Sequence, residues 1–85
     1  MKIFHHPRFE KAYRRLPLEL KSKAEQKESV FRANPFDTRL DTHKLHGKLK
    51  SKWSFSIDYR YRILFEFDSA KNVTFLDVGD HAIYQ

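Results

Sequence analysis

Between Arg39 and Arg62 the chain has seven lysines and arginines against only two acidic residues, and two residue types in this region can do chemistry on a phosphate ester. A histidine accepts or donates a proton close to neutral pH, because its unperturbed pKa is about 6.5. An arginine stays charged, and its planar guanidinium donates two hydrogen bonds to one phosphate group. The pattern is therefore compatible with phosphodiester binding and proton transfer, and ordinary solubilising surface is the alternative interpretation.

These candidate residues occur at three places. His43 and His46 lie in the segment HKLHG, Arg62 lies in the stretch WSFSIDYRYRILFEF, and His81 and Tyr84 follow the last apolar run. The spacing of His43 and His46 also suits two metal ligands. Two histidines without further ligands make a poor metal site, so we expect no metal here.

The stretch Trp53 to Phe67 predicts two strands, because apolar and polar residues alternate along it on both sides of a bend. Side chains on a strand point alternately to opposite faces. The aromatic residues can therefore cover a core while Arg60 and Arg62 project from the other side. Two further strands are predicted at Lys2 to His5 and at Val73 to Val78, and the second is apolar enough to be covered on both faces.

Two helices are predicted between the first and second strands. The first starts at Arg8, and its apolar face is formed by residues at spacings of three and four: Phe9, Ala12, Tyr13 and Leu16. Pro17 ends it and begins a second helix that runs to about Ala33, where Asn34-Pro35 closes it. Phe36 to Gly47 has little periodicity and is predicted to be a connection. This order predicts an α+β fold, with a helical hairpin packed on one face of an antiparallel sheet of about four strands.

Length and composition limit the architecture and the partners. At 85 residues, a single domain spanning residues 1–85 is expected, with an aromatic-rich core because the chain has eight Phe, four Tyr and one Trp. The net charge of +6 favours an anionic partner: nucleic acid, an acidic protein segment or a membrane surface. Cysteine is absent and no apolar run approaches the roughly 20 residues that cross a bilayer, so we expect a cytoplasmic protein without a disulfide framework or a cofactor.

Several segments, in order along nearly the whole chain, resemble landmarks of the RelE/ParE superfamily of bacterial toxins, in its RelE/StbE-like branch. The segments are Phe9-Glu10-Lys11, Asn34-Pro35-Phe36, Lys44-Leu45-His46-Gly47-Lys48-Leu49, Trp53-Ser54-Phe55, Asp58-Tyr59-Arg60-Tyr61-Arg62-Ile63-Leu64-Phe65 and Val78-Gly79-Asp80-His81. The resemblance implies the toxin of a type II toxin–antitoxin system. Such a toxin occupies the ribosomal A site and cuts mRNA there, and a cognate antitoxin protein holds it inactive.

The resemblance also implies which residues act. Relatives carry an acid or base just before an L-x-G motif, an arginine on the middle strand, and a histidine plus an aromatic residue near the C-terminus. In this sequence these are His43, Arg62, His81 and Tyr84. We expect His43 to be the base, Arg62 to hold the transition-state phosphate and His81 to be the acid, although base and acid can be exchanged. Tyr84 either stacks on or orients a nucleotide, or anchors the end of the chain.

A row of basic residues starts within the HKLHG segment and is predicted to contact the RNA backbone. The row consists of Lys44, Lys48, Lys50, Lys52 and Arg60. Two other functions stay open alongside the metal-independent endoribonuclease. One is a ParE-like inhibitor of gyrase, which shares the fold without cutting RNA. The other is a catalytically silent module that binds RNA or an antitoxin.

Overall fold

A single five-stranded sheet organises the protein. The structure is a computed structural model that describes residues 1–84. Its elements are β1 (Ile3–His5), α1 (Pro7–Arg14), α2 (Leu18–Ala33), β2 (His43–Lys44), β3 (Trp53–Ser56), β4 (Arg62–Phe67) and β5 (Val73–Gly79). Short 3₁₀ turns lie at Thr38–Leu40, Gly47–Leu49 and His81–Tyr84. The strands lie in the spatial order β1-β5-β4-β3-β2.

The predicted fold class is confirmed: a helical hairpin packs on one face of a mostly antiparallel sheet. Two details differ from the prediction. β1 pairs with β5 in parallel, with Ile3 opposite Val73. The segment Phe36 to Gly47, predicted as a connection, contains the fifth strand, β2, which is only two residues long and leaves no periodicity in the sequence.

Local sequence accounts for the bounds of both helices. α1 begins with Pro7, and the His6 Nδ1 atom accepts a hydrogen bond from the Arg8 N–H at 3.0 Å, which caps its first turn. α1 ends at Arg14, and Pro17 separates it from α2. Among the described helices, none combines the length and apolar character that a membrane crossing requires.

The core lies between the sheet and the helices and is aromatic, as the composition predicts. The Phe31 ring of α2 is fully buried, and it lies 4.7 Å from the ring of Phe55 and 5.0 Å from that of Phe65. The Phe75 ring of β5 lies 5.6 Å from the same Phe31 ring. Phe31 therefore contacts three strands, and aromatic pairs at these distances stabilise the fold beyond the burial of their area. These contacts hold α2, and with it the helical hairpin, on this face of the sheet.

The other face of the sheet is more open than predicted. β5 was expected to be covered on both faces, and this is wrong: Val73 and Phe75 are buried toward the helices, whereas Leu76 and Asp77 are only half-buried. A bulge opposite Leu64 and Phe65 shifts the register of β5 at this point. The sheet therefore has one core face and one partly solvated face, which we call the open face.

The bend between β3 and β4 is held by Asp58. Its Oδ1 atom accepts hydrogen bonds from the backbone N–H of Arg60 at 2.9 Å and of Tyr61 at 2.8 Å. Partial burial alone raises the pKa of the Asp58 carboxyl. The hydrogen bonds from Tyr61 and Arg60, and the nearby charge of Lys23, outweigh that effect and hold this pKa below its ordinary value.

This lowered pKa predicts a pH-dependent contribution to stability. Because the carboxyl is more acidic in the folded state, its contribution is fully present above the unfolded pKa of about 3.9 and is lost as the pH falls through the lower folded pKa. Asp58→Asn keeps an oxygen for both hydrogen bonds and removes only the charge. The free-energy difference between wild type and Asp58→Asn, from urea unfolding at several pH values, should therefore shrink below about pH 4. A difference that stays constant across this range contradicts the assignment.

Candidate functional site

Arg62 is the centre of the polar cluster on the open face. It lies at the start of β4, where alternation places it opposite the core residue Ile63, and its side chain is only 12% exposed. The Nε atom donates to Ser54 Oγ at 3.0 Å, and Nη1 donates to Ser56 Oγ at 2.7 Å. Nη2 donates to the main-chain oxygen of Asp41 at 2.7 Å. The guanidinium is therefore fixed against the sheet by hydrogen bonds on three sides.

The Asp41 carboxylate connects Arg62 to His43. Its Oδ2 atom lies 3.4 Å from Arg62 Nη1, and its Oδ1 atom lies 3.7 Å from His43 Nδ1. His43 pairs with Ser54 across β2 and β3, so it shares the open face with Arg62. The sequence analysis did not single out Asp41. The available signal was its position as one of two acidic residues between positions 39 and 62, in an otherwise basic region.

The C-terminal 3₁₀ turn brings the other two candidates to the same place. Gly79 pairs with Arg62, so the turn His81–Tyr84 starts beside the guanidinium. The Tyr84 hydroxyl donates to Ser54 Oγ at 3.0 Å, and this oxygen also accepts from Arg62 Nε. The His81 ring is exposed and lies 6.2 Å, centroid to centroid, from the Tyr84 ring.

A close approach at Gly79 supports this placement of the turn. A Cβ atom at position 79 would lie 2.8 Å from the side chain of Ile83, so glycine lets the turn pack directly on β5. The four predicted site residues, His43, Arg62, His81 and Tyr84, therefore form one contiguous cluster, connected through Asp41 on one side and Ser54 on the other.

The predicted RNA-contacting residues do not all lie together. Lys52 is on the open face, where its Nζ lies 3.7 Å from Glu66 Oε2. Lys48 and Lys50 are exposed at the second 3₁₀ turn, and Arg60 is exposed in the bend before β4 rather than on the strand.

Lys44 lies apart from this group. It pairs with Trp53, so it points to the helix face, and its Nζ lies 6.0 Å from the Trp53 ring centroid. The structure therefore separates Lys44 from the other four basic residues.

A cleft of about 390 Å³ lies on the helix side, and its apolar floor includes Phe9. Three carboxylates line it, those of Glu10, Glu25 and Glu28, together with one guanidinium, that of Arg14. These carboxylates repel a polyanion, so the open face is the better candidate for a phosphate-containing ligand. Among residues 1–84, no three His, Cys, Asp or Glu side chains are grouped as metal ligands.

Comparison with known proteins identifies the fold. No family model matches the chain, and no curated protein matches it. Solved structures do match. A YoeB/ParE toxin from Agrobacterium tumefaciens aligns with a TM-score of 0.79 and 18% identity over 95% of this chain and 99% of that one. YafQ from E. coli aligns with a TM-score of 0.76 and 17% identity, over 98% and 96% of the two chains.

An archaeal RelE in complex with RelB, from Pyrococcus horikoshii OT3, aligns with a TM-score of 0.74 and 17% identity over 93% of this chain and 92% of that one. All three alignments cover nearly the full length of both chains. The similarity establishes a shared fold, in agreement with the resemblance found in the sequence.

The shared Ser54 oxygen predicts energetic coupling between β3 and the C-terminal turn. Ser54→Ala removes an acceptor from both Arg62 and Tyr84 and should lower the free energy of unfolding by about 1–3 kcal/mol, because buried donors lose their partner. Tyr84→Phe removes only the hydroxyl. The double variant should lose less than the sum of the two single variants, by about 0.5–1 kcal/mol, in urea unfolding.

Ser51→Ala is the matched control, since Ser51 is exposed just before the same strand. It should change the free energy of unfolding by less than about 0.5 kcal/mol. Strictly additive effects of Ser54→Ala and Tyr84→Phe would contradict a shared hydrogen bond.

Proposed function

We propose that this chain, which has the RelE/ParE toxin fold, is the toxin of a type II toxin–antitoxin system and a metal-independent endoribonuclease that cleaves mRNA on the ribosome. The observation that carries the proposal is the cluster on the open face: Arg62 is fixed by hydrogen bonds, Asp41 links it to His43, and Ser54 and Tyr84 link it to the turn that carries His81. These groups suit metal-independent attack by a ribose 2′-OH on the neighbouring phosphorus.

Each residue has one role in this mechanism. His43 removes the proton from the 2′-OH, and the guanidinium of Arg62 stabilises the charge of the pentacoordinate phosphorane. His81 donates a proton to the departing 5′-oxygen, which leaves a 2′,3′-cyclic phosphate on one fragment and a 5′-hydroxyl on the other. Since a histidine side chain can serve as either base or acid, the roles of His43 and His81 can be exchanged.

Tyr84 acts as an orienting residue in this proposal. Its hydroxyl is hydrogen-bonded to Ser54, the residue that also holds Arg62. This bond fixes the turn that carries His81 at the edge of the cluster. An ordered position for His81 matters, because proton transfer requires a heavy-atom distance of about 2.6–3.2 Å to the leaving oxygen.

The RNA backbone would extend from the cluster across the exposed basic residues. Lys48, Lys50, Lys52 and Arg60 form this proposed contact surface, since they are exposed or half-exposed near the open face and its adjoining turns. Lys44 is left out because it contacts Trp53 on the helix face. The ribosome and its mRNA supply a high density of phosphates for such a surface.

An antitoxin is the proposed protein partner. Two of the similar toxin structures are complexes, one of RelE with RelB and one of YafQ with DinJ. For this chain we infer a partner with an acidic contact segment that lays a helix or strand across the basic open face and covers Arg62 or His81. Such a segment would exclude RNA by occupying the same surface.

The catalytic assignment predicts the behaviour of three variants. Each of His43→Ala and His81→Ala should lower the rate of mRNA cleavage on programmed ribosomes by about 10²–10⁴-fold, because one proton-transfer group is lost. The double variant His81→Ala/Arg62→Ala should be harmless when expressed in bacterial cells and should keep the circular dichroism spectrum of the folded protein. His46→Ala is the matched control and should stay toxic, since His46 is exposed and forms no side-chain hydrogen bond in its 3₁₀ turn.

The same expression experiment separates the alternatives. Growth arrest with cleaved messages supports the endoribonuclease. An SOS response without RNA cleavage indicates a ParE-like gyrase inhibitor, and neither effect indicates a catalytically silent binding module. Unchanged toxicity of a folded His81→Ala/Arg62→Ala variant would overturn the assignment of these residues.

The proposed RNA surface predicts a salt dependence. The affinity for a short single-stranded RNA should fall linearly on a plot of log K against log salt, with a slope of about −0.7 for each phosphate contact. Lys48→Ala and Lys50→Ala should each reduce that slope by about 0.7. Lys44→Ala removes the same charge from the helix face and should leave the slope unchanged. A response that is flat with salt contradicts the surface.

A further inference from the structure

Asp41 contacts Arg62 through two different groups. Its main-chain oxygen accepts from Nη2 at 2.7 Å, which is a short hydrogen bond to a charged donor. Its carboxylate is farther away, with Oδ2 at 3.4 Å from Nη1 and Oδ1 at 3.7 Å from His43 Nδ1. The Asp41 side chain is 68% exposed, whereas that of Arg62 is 12% exposed. The tight contact therefore comes from the main chain, and the loose one comes from the solvated side chain.

The main chain at Asp41 is fixed on both sides. Leu40 is fully buried in the core, and the Thr42 hydroxyl donates to the Pro35 main-chain oxygen at 2.6 Å. Asp41 itself has a φ of 49°, in the left-handed region, where aspartate and asparagine are tolerated better than most residues. The carbonyl is therefore anchored, while the carboxylate can rotate away without moving the chain.

Within residues 1–84, the Asp41 carboxylate is the one charged acceptor that contacts the Arg62 guanidinium. Ser54 Oγ, Ser56 Oγ and the Asp41 carbonyl are parts of the folded sheet and its adjoining loop, and they hold the other donors of Arg62. Carboxylate and phosphate are the two anions that fit the guanidinium fork. Only the carboxylate of Asp41 is both charged and well exposed, so it is the group that an incoming anion can replace.

We propose that the Asp41 carboxylate is an internal substitute for phosphate, which covers Arg62 and His43 in the free protein and is displaced when an RNA phosphodiester binds. The anchored Asp41 carbonyl keeps the guanidinium oriented during this exchange. The inference rests on the proposed function, because it takes the RNA strand as the ligand of this site.

Displacing the carboxylate lowers the affinity for an isolated phosphate and for an RNA strand by the same factor, but only the strand has further contacts that compensate. A single phosphate must displace the carboxylate with only its own contact to Arg62. An RNA strand is also held at the basic residues Lys48, Lys50 and Arg60, so the phosphate near Arg62 is presented at a high effective concentration. Asp41 thereby disfavours stray phosphate at the site, while the additional contacts compensate for the displacement in the case of RNA.

Asp41→Asn tests the proposal, because asparagine has nearly the same size, accepts the left-handed conformation and keeps the carbonyl. Binding is followed through the NMR signals of the His43 ring, which every variant retains beside position 41, during titration with inorganic phosphate and with a 2′-O-methyl RNA oligonucleotide, which cannot be cleaved. Asp41→Asn should bind both about two- to five-fold more tightly than wild type, the range expected for removing a half-exposed ion pair. The increase should be absent when Arg62→Lys is combined with Asp41→Asn.

Two further variants keep the test decisive. Asp68→Asn removes the same charge from an exposed turn far along the chain and should not produce the increase at matched ionic strength. Asp41→Gly also removes the carboxylate, keeps the carbonyl and tolerates a positive φ, so it should give the same increase if Asp41→Asn folds poorly.

Unchanged or weaker binding by the folded Asp41 variants overturns the proposal, because the carboxylate would then only position Arg62. An equal increase in Asp68→Asn also overturns it, because the effect would then be one of net charge. Since the oligonucleotide cannot be cut, the outcome is independent of ribonuclease activity. Failure of the proposed function would appear differently: the wild-type protein would cut no mRNA, although the Asp41 variants would still bind phosphate and RNA more tightly than wild type.

Discussion

The hydrogen bonding of one nearly buried guanidinium is the constraint on which the open face depends. A charged group that is largely removed from water is costly unless its donors are paired, and the donors of Arg62 find partners on β3 and on the loop before β2. Those partners are Ser54, Ser56 and Asp41. Satisfying Arg62 therefore requires β4, β3 and the β2 loop to assemble in one register, so the stability of the sheet and the geometry of the candidate site have the same cause.

Different groups of charged side chains lie beside the two concave or open parts of the surface. The cleft on the helix side is lined by Glu10, Glu25, Glu28 and Arg14, whereas the open face adjoins the exposed basic residues. The sheet between them is filled on its helix side by stacked aromatic rings. A small chain can thus carry polar and charged residues on one face of the sheet while its apolar residues stay in the core, because alternation along each strand separates the two sets.

The fold and the function have different kinds of support. Full-length alignments with three toxin structures, each below 20% identity, establish the architecture. One fold can carry unrelated activities, so the function is argued from the site. What distinguishes the site is Asp41, which contacts both Arg62 and His43, and Ser54, which joins Arg62 to the turn that carries His81 and Tyr84.

Local patterns in the sequence determined most of the elements: the alternation from Trp53 to Phe67 specified two strands, Pro17 specified the boundary between the helices, and Asn34-Pro35 specified the end of the second. They also placed Arg62 on the face away from the core. Only the tertiary structure decided the parallel pairing of β1 with β5, the strand at His43–Lys44 and the resulting turn of Lys44 toward Trp53.

The same holds for the contacts within the site. Asp41 lies 21 residues from Arg62 along the chain, and Tyr84 lies 30 residues from Ser54. Periodicity and turn signals act over a few neighbouring residues. Contacts between residues so far apart depend on strand register and on how the loops close, and these are fixed only when the whole sheet assembles around its core.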